Sequence, residues 1–200
     1  MTANKLIVHV GGARGVGKSA LLGLMSQTMT KGLPLVVIPV SAFVQQLGRD
    51  IFSRNWAELT VGERDAIRNA FIQQVERFPK GVCVLDSHYV DVLPDGTVTP
   101  IIPITLRPLL QCHVVVDCSS QALLTRRRVD LVKLRPLNEE WIARERCGEL
   151  SVAQQMAQET HTPFHTVLNE QDVKYAAHCL GDIINTLWHT LLSSPQTPPK

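Results

Sequence analysis

The segment Gly12-x-x-x-x-Gly17-Lys18-Ser19 lies directly between the apolar run Leu6–Val10 and the helix-like stretch ALLGLM. Nothing else in the 200 residues constrains the fold as strongly. Glycines let the backbone adopt conformations closed to other residues, so successive N–H groups can converge on an anion. A helix that starts at once adds its positive end at the same point. Lys18 would reach β- and γ-phosphates, and the Ser19 hydroxyl would complete a Mg²⁺ shell. A tight turn with a helix-capping Ser is the bland alternative, and it leaves Lys18 unexplained. The residues expected to cradle nucleotide phosphates are therefore Gly12, Ala13, Arg14, Gly15, Val16, Gly17, Lys18, Ser19 and Ala20.

The remaining chain has the rhythm such a cradle needs. LIVHV (6–10), LVVIPV (35–40), VCVLD (82–86), HVVVD (113–117) and FHTVL (164–168) read as strands. The first four are nearly continuous in apolar residues, as in a parallel sheet covered on both faces. Helical stretches are expected at Lys18–Met29, Ala42–Ile51, Thr60–Arg77, Asn138–Glu159 and Asp172–Leu192. In the last of these, Val173, Ala176, Ala177, Leu180, Ile184 and Leu187 form one apolar stripe. This pattern gives an α/β fold, a three-layer sandwich around a central five-stranded parallel sheet. One domain is expected over residues 1–192, with a disordered Pro- and Ser-rich tail at 193–200.

Two segments interrupt the alternation. Residues 88–104 carry Pro-Asp-Gly between alternating residues, which suggests a small hairpin or ordered loop. Residues 125–137, TRRRVDLVKLRPL, gather Arg126, Arg127, Arg128, Lys133 and Arg135, with Asp130 between them. A mobile basic segment suits phosphoryl transfer, where arginines neutralise charge on the moving group and exclude water. A solvated basic face or a patch for RNA is the rival reading, and Arg144 and Arg146 stand on the next helix to join it.

An acidic residue at a strand tip is needed near Mg²⁺. Asp86 and Asp117 both qualify, and Asp86 is favoured because its strand should lie beside the cradle strand. For Asp117 the alternative is a cap on the helix near Ser120. His88 is read either as a contact to an acceptor phosphate or as a loop histidine with a structural hydrogen bond.

Net charge is +2, which gives no argument for nucleic acid by itself, although the basic run leaves that partner open. No apolar run is long enough for a membrane span, and the first ten residues are too short for a signal peptide. Cysteines 83, 112, 118, 147 and 179 form no C-x-x-C pair, which reads as reduced thiols in a cytoplasmic protein. A homo-oligomer stays open.

The chain resembles archaeal-type adenylate kinases, within the P-loop nucleoside monophosphate kinases. Four places carry the resemblance: IVHVGGARGVGKSALL, VCVLDSHYVDVLPDGTVTPIIP, HVVVDCSSQALLTRRRVDLVKLR and FHTVLNEQD, together spanning about residues 5–190. The resemblance implies a P-loop NTPase-type fold, ATP and Mg²⁺ as cofactors, and AMP as acceptor in a reversible transfer giving two ADP. It implies that Gly12 to Ser19 hold ATP, with Lys18 catalytic, and that Ser19 and Asp86 serve the metal. Arg128 and Arg135 would clamp phosphates from a lid at 125–137, and Asn169 would lie beside the adenine. Residues 40–77 would be the monophosphate-binding arm. There the family carries an Arg before a Leu, where this chain reads NWAEL, leaving Arg54, Arg64 or Arg68 as substitutes. Two further classes are open: an ATPase acting with RNA or a ribosomal partner, and a GTP-binding switch suggested by NEQD at 169–172.

Overall fold

The computed structural model describes residues 5–29, 33–130, 132–170 and 172–193. Five parallel strands form the central sheet: β1 (Lys5–Gly11), β2 (Leu35–Pro39), β3 (Gly81–Asp86), β6 (Cys112–Asp117) and β7 (Phe164–Leu168). Their spatial order is β2-β3-β1-β6-β7, so β1 stands at the centre and the chain leaves it toward both edges. That reversal opens a crevice at the carboxyl ends of the strands, where ligands bind in such sheets. The expected three-layer α/β architecture is the observed one.

Strand alternation assigns the two cores. Leu6, Val8 and Val10 face one side, with Leu21, Leu22 and Met25 of α1 (Lys18–Met29) and Ala176, Leu180 and Ile184 of α6 (Val173–Ser193). Ile7, Cys83 and Leu85 face the other side. They meet Phe71, Ile72 and Val75 of α3 (Val61–Glu76) and Ala153 and Met156 of α5 (Glu139–Thr160). Burying both faces explains why the strands read as unbroken apolar runs.

Most boundaries follow local chemistry. α2 (Val40–Phe52) begins two residues earlier than expected because Pro39 ends the strand and serves as N-cap. α3 starts at a capping box in which Thr60 and Glu63 exchange hydrogen bonds. The 88–104 segment contains an antiparallel hairpin, β4 (Val90–Val92) with β5 (Val98–Pro100), turned at Gly96 with φ +83°.

The basic run is divided differently from its sequence appearance. α4 (Ser120–Val129) extends through Thr125–Val129, and only Asp130 and residues 132–137 are irregular. Three arginines in the last turn of a helix meet its negative end, which favours continuing that helix. Ser193 closes α6, and the rest of the expected tail, 194–200, lies outside the described residues. No helix among the described residues is long and apolar enough to cross a membrane.

Leu180 is fully buried between α6 and α1. Leu180→Ala is expected to cost about 2–5 kcal/mol of stability. Asp182→Ala, at an exposed position two residues on, is expected to change it by less than about 0.5 kcal/mol. Urea denaturation followed by circular dichroism measures both.

Candidate active site

The chain turns sharply between Gly11 and α1, with positive φ at Gly12 (+137°), Gly15 (+90°) and Gly17 (+95°). Space as well as conformation requires glycine at two of these. A Cβ on Gly12 would lie 2.2 Å from the Val116 carbonyl oxygen, and one on Gly17 would lie 2.6 Å from Asn169 Nδ2. The turn is braced by a hydrogen bond from the Val16 amide to the Ala13 carbonyl at 3.1 Å. The amides of Gly15, Gly17, Lys18 and Ser19 have no protein acceptor among the described residues. All four residues line one end of a large cleft. Unpaired donors at the start of a helix form an anion site. The side chains of Ala13 and Val16 point into the core, so these residues offer only backbone to a ligand.

The loop is held from below by α5. Glu149 accepts hydrogen bonds from the amides of Gly12 (2.8 Å) and Tyr89 (3.0 Å). One turn earlier, Glu145 accepts from the Arg14 amide (2.9 Å) and from the Arg14 guanidinium (3.2 Å). Its other oxygen pairs with Arg127, a fully buried cation that also donates to the Arg14 carbonyl at 2.9 Å. Burial pushes the Glu145 carboxyl up, but the Arg14 amide and the Arg127 guanidinium outweigh it and hold the group below its ordinary range. Arg14 is pinned further by Asp91 on β4.

Lys18 Nζ donates to the Gly12 carbonyl at 2.6 Å, at the floor of the anion site. Burial lowers the affinity of this amine for its proton, against the attraction of Glu149, Asp86 and Glu145. β3 pairs directly with β1 and sets Asp86 beside Val10, in the cleft lining with Ser19. Burial pushes the Asp86 carboxyl up, while Lys18, His88 and Ser19 pull it down. No group of three or more His, Cys, Asp or Glu side chains suited to a metal occurs among the described residues. The Ser19–Asp86 pair fits Mg²⁺, which keeps several waters and takes other oxygens from phosphates.

The other sequence candidates are distributed by helix phase. Arg135 reaches the cleft with Lys133 and pairs with Asp130. Arg128 is exposed and lies outside the cleft lining, so the structure does not bring it to the site. Arg126 lines the cleft instead, donating to the carbonyls of Val16 (3.0 Å), Asn169 (2.7 Å) and Glu170 (2.8 Å). Asn169 is buried beneath the loop, with its amide on the Val16 carbonyl at 2.8 Å, and it too is absent from the cleft lining. Asp117 forms a two-pronged pair with Arg146 (2.8 and 2.9 Å), and Ser119 caps α4. Arg144 pairs with Glu140. In the NEQD segment, Glu170 accepts from the Ser119 amide at 2.7 Å, and Gln171 lies outside the described residues.

The cleft encloses about 1020 Å³. Beyond the anion site its second half has apolar walls, Val40, Val44, Phe71, Leu85, Ile102 and Leu106, with Ser41 and Gln45 among them. Of the three arm arginines, only Arg68 lines it, stacked 5.6 Å from the Trp56 ring centre and paired with Asp65 at 2.7 Å. Arg54 pairs with Glu63, and Arg64 donates to the Trp56 and Ala57 carbonyls. His88 also lines the cleft, with Nδ1 2.8 Å from the Gly12 carbonyl and 3.3 Å from Lys18 Nζ.

Glu145 and Glu149 hold the glycine turn from α5, and no motif in the sequence marks them. Their signal is present, however: they interrupt the buried stripe Ile142, Ala153, Met156 at positions where helical spacing calls for apolar side chains.

No protein-family model and no curated protein matches the sequence. Solved structures do. A gluconokinase from Sinorhizobium meliloti 1021 is 14% identical, with a TM-score of 0.54 over 96% of this chain and 98% of that one. A shikimate kinase from Acinetobacter baumannii, in complex with shikimate, is 15% identical, with a TM-score of 0.54 over 96% and 97%. At these identities the likeness is one of fold.

Glu145→Gln is expected to cost about 3–5 kcal/mol at neutral pH, because it leaves Arg127 buried without its counter-charge. The native carboxyl sits below its unfolded range, so its contribution is complete above that range and disappears as pH falls through the folded value. Denaturation midpoints measured from neutral to acidic pH should fall more steeply for the wild type than for Glu145→Gln.

Proposed function

We propose that the protein is an ATP-dependent phosphotransferase acting on a small acceptor. The observation that carries this reading is the junction of two unlike half-sites in one cleft. Part of it offers unpaired amides with Lys18, Ser19 and Asp86; apolar side chains of α2, α3 and the segment after β5 wall the rest, and the whole encloses about 1020 Å³. A hydrolase or a switch needs the first half alone. The similar gluconokinase and shikimate kinase are kinases by name, which agrees with the reading.

In this mechanism the amides of Gly15, Gly17, Lys18 and Ser19 hold the β- and γ-phosphates. Lys18 leaves the Gly12 carbonyl to follow the charge of the moving group. Ser19 and Asp86 would hold Mg²⁺, which when bound neutralises phosphate charge. Arg135 exchanges Asp130 for phosphate oxygens and, with Lys133, closes the cleft against water. Both sets of residues open into the same cleft, which suits in-line transfer from donor to acceptor.

A monophosphate acceptor, with AMP foremost as the sequence motifs imply, is the second reading. Arg68 favours it, as the one arm arginine on the cleft wall. It would have to release Asp65 to take a phosphate.

Lys18→Met is expected to abolish ADP formation. Arg135→Ala is expected to lower kcat by ~10²-fold through lost charge stabilisation in the transition state. Lys174→Ala, on the exposed face of α6, should leave turnover unchanged. A coupled assay for ADP across a panel of acceptors measures all three. Unchanged kcat in Arg135→Ala would show that the basic segment takes no part in transfer.

A further inference from the structure

Among the described residues, three carboxylates line the cleft: Asp86, Asp91 and Asp130. Two are accounted for. Asp86 stands with Ser19 in the lining of the anion site. Asp130 has both oxygens occupied, Oδ1 by the amides of Val132 and Lys133 at 3.2 Å and Oδ2 by Arg135. Asp91 differs from both. Its Oδ1 pairs with Arg14, Oδ2 has no protein partner among the described residues, and the side chain is half exposed.

The fold fixes where that free oxygen stands. Val90 lies against the α5 backbone at Gly148, so the next residue of β4 turns to the opposite face of the hairpin, toward the cleft. There Arg14, a residue of the glycine turn itself, holds Oδ1. Asp91 also pairs in register with Thr99 of β5, and that strand continues into Ile101 and Ile102 of the apolar wall. The Ile101 amide donates to the Tyr89 carbonyl at 2.9 Å and ties the wall back to the start of β4. Asp91 is thus joined to the glycine turn through a guanidinium and to the apolar wall through the backbone. A carboxylate in a cleft that binds phosphates weakens that binding unless a cation offsets its charge. Arg14 supplies the cation. Oδ2 remains an acceptor, which takes an O–H or N–H and turns away phosphate oxygens.

We propose that Asp91 determines acceptor specificity: its Oδ2 accepts a hydrogen bond from a hydroxyl or ammonium group of an acceptor whose body lies against Ile101 and Ile102. This rests on the phosphotransferase reading and names a group that the acceptor must carry. Asp91 binds and orients that group, and Arg14 positions the carboxylate.

Steady-state kinetics of the full chain with MgATP test this, across AMP, TMP, adenosine, thymidine, shikimate, gluconate and homoserine as acceptors. For the acceptor turned over best by the wild type, Asp91→Ala is expected to raise the acceptor KM by ~10-fold or more, through loss of a hydrogen bond to a charged group. The KM for ATP should stay near its wild-type value. Asp91→Asn keeps a neutral oxygen at the same place. It should recover most of the loss if the acceptor presents a hydroxyl and none if it presents an ammonium, so the two variants tell these groups apart. An unchanged acceptor KM in Asp91→Ala overturns the proposal. So does a rise in the KM for ATP that equals or exceeds the rise for the acceptor, which would reduce Asp91 to a brace for Arg14. Both outcomes leave the phosphotransferase reading standing. A wild type that phosphorylates none of these acceptors overturns that underlying reading instead.

Discussion

Two carboxylates one helical turn apart set the shape of the anion site. Glu149 takes the Gly12 amide and Glu145 the Arg14 amide, so these two donors turn down toward α5 while those of Gly15, Gly17, Lys18 and Ser19 stay free on the cleft side. Negative charge beneath a phosphate site is costly unless it is balanced. Arg127 and Arg14 balance Glu145, and Lys18 and His88 stand near Glu149. The loop is held open by buried ion pairs as much as by its glycines.

Sheet order places the rest. With β1 central, β3 on one side delivers Asp86 and His88, and β6 on the other feeds α4 with its arginines. The cleft opens at the carboxyl edge beside β1 because the winding order of the strands reverses there. Buried His9, on β1, packs edge-on against Tyr89 at 4.3 Å and adds a polar side chain to the cleft lining.

What the sequence made legible was local. The glycine turn, the apolar runs and the helical spacing of apolar residues carry their conformational preferences within a few residues, and the strands and helices fall close to where those preferences put them. The arginine run shows where this breaks down. As letters, Arg126, Arg127 and Arg128 are equivalent. On a helix they point about 100° apart, so one reaches the cleft, one the core and one solvent. Asn169 lies at a strand end as expected, yet its neighbours in space, Val16 and Gly17, are about 150 residues away, and the Val16 carbonyl captures its amide. The register that decides such contacts is a property of the packed sheet. The pairing of Arg54, Arg64 and Arg68 with nearby acids and carbonyls is likewise invisible without the fold of the arm.

Gly148 lies between the two glutamates on α5, and a Cβ there would come within 2.7 Å of Val98 and 3.2 Å of Val90. The hairpin therefore rests directly on the helical backbone, and the same hairpin carries Asp91 to Arg14. One turn of α5 thus supports the phosphate loop twice, directly through its acids and at second hand through the strands lying on it. A single methyl group at this position would be transmitted to the glycine turn at one end of the cleft without touching it. The hairpin that interrupts the strand-helix alternation behaves as a buttress, and natural variation along that turn of α5 should be confined to changes that leave its height above the helix intact.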